Sequence, residues 1–285
     1  MAADANDALY DLLRPERLTA VVDVGANPVD GDPPYKVLLQ KRLCRVIGFE
    51  PQPEALAKLN ARKSDCETYL PYVIGDGSPQ TLRICASDGM TSLLRPNAAL
   101  LHHLGGYEFW GRVTGEVPVT TQRLDDIAEV EALDLLKIDV QGSELSVFRH
   151  ATRLLRAAVA IQTEVSFLPL YEDQPVFGAV DLALRDLGFV PHAFAGVRRG
   201  MISPMVGAKP DSTLNQLLEA DVVYVRDFTK AELMTSEQLK HLALIAHHCY
   251  RSYDLAMNCI HRLQERGAAV PDAVTQYMNL LRARL

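Results

Sequence analysis

The sequence predicts a doubly wound α/β fold on a mostly parallel sheet of seven strands, with a small inserted segment and a helical C-terminal appendix. Short apolar runs alternate with helical patterns from residue 19 onward. A glycine-containing turn directly follows the first run. The stretch Leu133–Val140 (LDLLKIDV) is almost continuously apolar, as a strand covered on both faces must be.

The first strand is read over Leu18–Val24, and a helix follows from about Pro33 to Leu43. Asp32 is its expected N-cap, with prolines at the first helical positions, where a missing N–H costs nothing. Val46–Glu50 is the second strand, Pro53–Asn60 its helix, and Thr68–Ile74 the third strand, closed by the turn residues Asp76 and Gly77. Residues 78–123 break the rhythm. Thr81–Cys85 and Val117–Thr121 read as strands, and the Gly-, His- and aromatic-rich stretch between them reads as an insertion that could cover a site. Regularity returns with strand Leu133–Val140, helix Ser143–Leu155, strand Val159–Val165, helix Phe177–Leu187, and strands Phe189–Phe194 and Asp221–Arg226.

After Asp227 apolar residues recur at helical spacing, as Leu239, Leu242, Ile245 and Ala246, then Leu255, Ala256, Cys259, Ile260 and Leu263. This implies two antiparallel helices resembling a single tetratricopeptide-like hairpin, packed at the sheet edge. The expected division is therefore 1–228 for the α/β domain and 229–285 for the appendix. So short an apolar hairpin must bury its stripe against the main domain or a second subunit, and packing that also supports a homodimer is the expectation.

Lysine and arginine number 29 against 36 aspartates and glutamates, a net charge of −7, and the basic residues are scattered. That argues against nucleic acid as the partner, because phosphate binding needs clustered cations. No secretory leader and no run approaching the ~20 apolar residues of a membrane span is evident, so a cytoplasmic placement without membrane insertion is expected. Cys44, Cys66, Cys85, Cys249 and Cys259 are widely spaced and form no CxxC pair, which suggests neither a disulfide framework nor a zinc site.

Two places carry chemistry most directly. Asp23, Gly25, Ala26 and Asn27 lie in DVGAN, immediately after the first strand, where a glycine turn lets a ligand approach the backbone. The alternative is an ordinary turn in which Asp23 caps backbone amides. Glu50 ends the second strand in GFEPQP, where nucleoside-binding α/β folds place an acid to accept both ribose hydroxyls. An exposed acid at a strand end is the bland reading of Glu50 taken alone. An NAD-dependent oxidoreductase would use the same Glu50, but the third glycine of a dinucleotide loop is missing.

The ordered blocks DVGAN, GFEPQPEALAKLN, GMTSLL, RLDDI, LLKIDVQGSEL and TEVS together resemble the FkbM family of methyltransferases over about residues 19–227. The resemblance implies a Rossmann-like class I methyltransferase fold, S-adenosyl-L-methionine as cofactor, and O-methylation of a sugar, glycan or small-metabolite hydroxyl. It implies that Asp23, Gly25, Ala26 and Asn27 form the loop around the methionine and ribose portion and that Glu50 is the ribose carboxylate. Asp76 falls where the adenine would be met, and Thr91, Ser92 and Asp139 face the same strand ends. The family form DVGANxGxxT is not kept: Val29 stands at the glycine position within PVDGDPPY, stiffened by Pro28, Pro33 and Pro34. A catalytically degenerate binding or scaffold protein is the rival that this altered loop supports.

A hydroxyl is a weak nucleophile, so alkyl transfer to it calls for alignment and a base. Asp139 and Glu164 end adjacent strands at the ligand edge and are the candidate catalytic carboxylates, with His192, which follows a strand, as the candidate histidine. Asp139 could instead cap the QGSEL helix. A third convergent ligand beside the two acids is not evident, so no metal is expected. Tyr107, Phe109 and Trp110 could stack on a sugar ring or simply pack the insertion.

Overall fold

The computed structural model describes residues 7–27, 31–205 and 213–282. Helix α1 (Ala8–Leu13) is capped by Asp7, whose carboxylate accepts the Leu9 and Tyr10 N–H groups. Strand β1 (Thr19–Val24), helix α2 (Lys36–Gln40), strand β2 (Cys44–Phe49), helix α3 (Pro53–Arg62) and strand β3 (Glu67–Leu70) follow. The insertion holds β4 (Pro79–Cys85), α4 (Ala98–Leu101), α5 (Tyr107–Trp110) and β5 (Val113–Thr120). Then come β6 (Leu135–Ile138), α6 (Glu144–His150), α7 (Thr152–Ala157), β7 (Ala160–Ser166), α8 (Phe177–Asp186), β8 (Phe189–Gly200) and β9 (Gln216–Arg226). Helices α9 (Ser236–His248), α10 (Tyr253–Glu265) and α11 (Ala273–Arg282) end the described chain.

The seven-stranded sheet has the order β3-β2-β1-β6-β7-β9-β8, and the β4–β5 pair stands apart as a second, two-stranded sheet. Within the large sheet only β9 runs antiparallel to its neighbours. This is the Rossmann-like arrangement of class I methyltransferases. The strand order reverses beside β1, which pairs with β2 on one side and β6 on the other, and the crevice outside those carboxyl ends is where such sheets take ligands.

Alternate side chains of each strand feed opposite faces. Val21, Val46, Leu135, Val223 and Val225 point to one face and are covered by α9 and α10 through Leu239, Leu242, Ile245, Ile260 and Leu263. Val22, Leu136, Ile138 and Ile161 point to the other, under Leu145, Phe148, Leu154, Val180 and Leu184 of α6, α7 and α8. The C-terminal helices thus form a facing layer of the sheet rather than a hairpin at its edge. Their apolar stripe is consumed within the chain, which removes the physical ground on which a homodimer through these helices was expected. A third helix, α11, joins the same core through Ala273 and Tyr277.

Several boundaries differ from expectation for local reasons. Helix α2 starts at Lys36, because Pro34 keeps Pro33 out of helical conformation, and Asp32 forms an ion pair with Lys36 at 2.7 Å instead of capping. Strand β3 stops at Leu70, before Pro71, which has no N–H for the ladder. The helix expected over Ser143–Leu155 is two helices. Asp125 reaches in from another segment and accepts the Arg153 and Leu154 N–H groups at 2.8 and 3.0 Å, capping α7 as a separate helix. Strands β8 and β9 run on beyond their expected ends as a ribbon that is largely exposed along β8.

Candidate active site

At the carboxyl ends of β1, β2 and β6 a cleft is lined by Gly25, Asn27, Phe49, Glu50, Tyr72, Ile74, Leu82, Ser92, Leu93, Asp139 and Gln141, among others. The chain can cross beneath the end of β6 only because residue 25 is glycine. Its φ is +76°, and a Cβ there would stand 2.0 Å from the Asp139 carbonyl oxygen. The Gly25 and Ala26 N–H groups both donate to the Phe49 carbonyl, which turns Ala26 into the packed interior and leaves Asn27 facing the cleft.

Glu50 is buried at the cleft wall. Its Oε1 accepts the Gln52 N–H at 2.8 Å, and the Asn27 N–H is a second backbone donor. Burial nonetheless pushes the carboxyl above its ordinary range, against those two donors. Asp23 lies underneath the cleft and does not line it. Tyr35 Oη donates to its Oδ2 at 2.6 Å and the Lys137 ammonium stands 3.4 Å from Oδ1. Lys137 also donates to the Gly25 carbonyl at 3.1 Å, so Asp23 holds the glycine loop from below. Burial alone would lower the Lys137 pKa, but the Asp23 and Asp139 charges hold it above its usual range.

Asp76 also stands off the main cleft. Its Oδ1 accepts from the Ser78 N–H and hydroxyl and from the Thr121 hydroxyl, and it lines a neighbouring cavity. Ser92 is buried at the cleft floor, donating to the Gln141 carbonyl at 2.7 Å. Asp139 and Glu164 come together. The Gln141 Nε2 donates to Asp139 Oδ1 at 2.7 Å and to Glu164 Oε2 at 3.0 Å. His192 does not join them: its Nε2 is 2.8 Å from Ser252 Oγ, against the C-terminal helices. Tyr107 and Trp110 meet edge-on at 5.0 Å in the packed insertion, whereas Phe109 is 60% exposed.

Glu144 and Glu219 are further buried acids beside this pair. Glu144 Oε1 accepts the Val140 and Gly142 N–H groups, and Glu219 pairs with Arg198 at 3.2 Å. Burial pushes each of these carboxyls up to about 7, the Asp139 charge adding to both. Each therefore keeps a proton in the folded chain that the unfolded chain has released between 4.5 and about 7. The stability these protons contribute is present at low pH and lost as pH rises through that window. The expected result is that Glu219→Gln flattens the fall in melting temperature from about pH 5 to about pH 7.5 relative to the parent. Parallel melting curves for the two proteins across that range would show that Glu219 does not titrate there.

Among the described residues no group of three or more His, Cys, Asp or Glu side chains is arranged to hold a metal ion. No helix among them is long and apolar enough to cross a membrane. Lys137 was not marked as a site residue by the sequence. A lysine inside an apolar strand run was a usable signal for it, since a buried ammonium demands a partner.

A family model described as the methyltransferase FkbM domain matches residues 23–191. The chain belongs to the FkbM methyltransferase family. The 2-O-methyltransferase NoeI of Sinorhizobium fredii (strain NBRC 101917 / NGR234) is 28% identical over 181 residues, 57% of this chain and 70% of NoeI. Among solved structures, methyltransferase FkbM of Methylobacillus flagellatus KT is 14% identical over 73% of this chain and 43% of that one, with a TM-score of 0.37. A precorrin-6y C5,15-methyltransferase of Geobacter metallireducens GS-15 is 10% identical over 76% and 85%, with a TM-score of 0.38.

This FkbM chain is an S-adenosylmethionine-dependent methyltransferase, and the cleft has the chemistry that the cofactor needs. Phe49, Tyr72, Ile74, Leu82 and Leu93 give apolar surface for a flat base. Two backbone donors occupy only part of the acceptor capacity of the Glu50 carboxylate, which leaves lone pairs for a vicinal diol. Pro28 and Val29, where the family's glycine is replaced, lie outside the described residues.

Proposed function

We propose that this enzyme methylates a hydroxyl oxygen of a sugar, glycan or small metabolite, with Glu50 holding the cofactor's ribose and Asp139 taking the acceptor proton. The observation that carries the reading is Asp139 lining the cleft that Glu50 also lines, bridged through the Gln141 amide to Glu164. The 2-O-methyltransferase name of NoeI supports oxygen as the acceptor atom.

In this reading Gly25, Ala26 and Asn27 shape the loop beside the methionine portion, fixed from below by Asp23 through Lys137. Ser92 supports the opposite wall, and Asp76 shapes the adjoining β4–β5 side rather than touching the cofactor. Bound S-adenosylmethionine supplies an electrophilic methyl carbon on a sulfonium. The Asp139 residue at the cleft wall would take the proton that the acceptor hydroxyl loses on methylation. Glu164 lies behind it. Burial, reinforced by the Asp139 and Glu219 charges and opposed by Arg198, pushes the Glu164 carboxyl well above its ordinary range.

Two measurements test the assignment. Glu50→Ala should weaken S-adenosylhomocysteine binding in calorimetry by about 1.5–3 kcal/mol, the size of a hydrogen bond to a charged group. Unchanged affinity in the folded variant removes Glu50 from the ribose. With isotope-labelled cofactor and a panel of free sugars, glycans and glycosides, an O-methyl product should form, and Asp139→Asn should slow it about 10²–10⁴-fold. Methyl transfer to nitrogen or carbon alone would overturn the acceptor class.

A further inference from the structure

Gln141 has backbone φ +55°, in the left-handed region that a non-glycine residue rarely enters. Such strain persists only where the surroundings over-determine it. Here the turn is clamped from three sides. Ser92 Oγ donates to the Gln141 carbonyl at 2.7 Å. Glu144 Oε1 accepts the N–H groups on either side, from Val140 at 2.9 Å and from Gly142 at 3.2 Å. A substituent at Gly142, itself at φ +101°, would meet Gln174.

The outcome is a side-chain amide whose main capacities are already allotted. Its Nε2 gives one hydrogen to Asp139 Oδ1 at 2.7 Å and one to Glu164 Oε2 at 3.0 Å. Its Oε1 accepts the buried Tyr171 hydroxyl at 2.9 Å. A primary amide can be turned over about its terminal bond, and only its partners decide which way round it sits. Turned over, it would aim its oxygen at both carboxyls, so the two acids set the orientation. The Tyr171 hydroxyl, which also lies 3.3 Å from the Met90 carbonyl, holds the amide oxygen in that orientation.

We infer that Gln141 and Tyr171 are positioning residues for the reaction: the tyrosine fixes the amide, and the amide spaces and orients Asp139 and Glu164 as a proton-accepting pair. The inference rests on the reading that these two acids serve the acceptor hydroxyl. Tyr171 acts only through Gln141. It does not line the cofactor cleft, and its ring packs with Leu101, Leu104, Leu170 and Leu218 under the insertion. The groups facing Glu164 are Asp139 just after β6, Glu144 on α6, Tyr171, Glu219 on β9, Arg198 on β8 and Tyr107 of the insertion, and Lys137 faces Asp139. The N–H bond to Glu164 favours its ionised carboxyl, so loosening the amide must raise the pKa of that group.

The test is carboxyl-carbon NMR titration of the full chain, labelled at Asp and Glu and saturated with S-adenosylhomocysteine, so that no acceptor is needed. Glu164→Gln and Asp139→Asn assign the two signals. Tyr171→Phe keeps the ring and removes only the hydroxyl. It should move the Glu164 titration upward by about one pH unit, a tenfold change in proton affinity, with cofactor affinity within about twofold of the parent. Gln141→Leu should move the Glu164 titration upward too, and further. Titrations that superpose on the parent in a folded Tyr171→Phe overturn the inference, whatever Gln141→Leu does. The underlying reading fails separately, if Asp139→Asn and Glu164→Gln both methylate hydroxyls at the parent rate.

Discussion

Gly25→Ala should abolish measurable cofactor binding at S-adenosylhomocysteine concentrations that saturate the parent protein. The methyl group would be built 2.0 Å from the Asp139 carbonyl oxygen, a backbone atom that cannot swing aside as a side chain does. The residue would also have to hold φ +76°, which costs an L-residue roughly 1–2 kcal/mol by itself. Relief requires moving the loop away from β6. That breaks the contacts tying it down, namely the Gly25 and Ala26 N–H bonds to Phe49 and the Lys137 bond to the Gly25 carbonyl. Asn27 would move with the loop, and the Asn27 N–H that steadies Glu50 would go too. Both walls of the cleft would shift from one methyl group. Calorimetry against S-adenosylhomocysteine checks it, with far-ultraviolet circular dichroism to establish that the variant is folded. Binding within about threefold of the parent, less than 1 kcal/mol, would show that the loop relaxes freely and that this close approach does not shape the site.

The same loop shows what was legible in the sequence and what was not. Gly25 and Glu50 could be placed because each sits at the end of an apolar strand run, and a strand end is a local signal. Asp139 and Glu164 were legible as neighbours because β6 and β7 are consecutive parallel strands, which usually pair. Asp23 was readable as chemistry but not as second-layer support. Its role depends on Tyr35 and Lys137, and only the folded sheet brings them to it. The surroundings of His192 were hidden for the matching reason: a polar residue after a strand begins looks alike whether it faces a ligand or, as here, the serine that precedes a distant helix. The break between α6 and α7 was invisible because Asp125, its cause, belongs to a different element. The C-terminal helices were found by periodicity, but periodicity reports that a face is buried and not what buries it.

Removal of residues 229–285 should therefore leave a chain that does not fold, a stronger outcome than loss of an appendage. Leu239, Leu242, Leu244, Ile245, Ile260 and Leu263 are each 0% exposed, and they pack on Val21, Val46, Leu135, Val223 and Val225 of the central strands. At about 1.5–3 kcal/mol for each fully buried aliphatic side chain, their burial contributes on the order of 10 kcal/mol. That equals the whole net stability of an ordinary domain, roughly 5–15 kcal/mol. Deletion also uncovers apolar residues on one face of β1, β2, β6 and β9 that only α1 and α2 would still share, and it strands polar groups that the helices satisfy. Thr19 Oγ1 loses His241 Nδ1 at 3.1 Å, and Asp7 loses His248 at 3.4 Å. The truncated protein should appear in the insoluble fraction and show no cooperative thermal transition when recovered. Leu242→Ala gives a graded version of the same experiment. It should remain folded and lose about 2–5 kcal/mol in denaturant titration, the usual cost of emptying a fully buried leucine site. A soluble 1–228 fragment that melts cooperatively and binds S-adenosylhomocysteine would overturn this account. The sheet would then need only the α6–α8 face to stand, and the C-terminal helices would be free to serve something other than the fold.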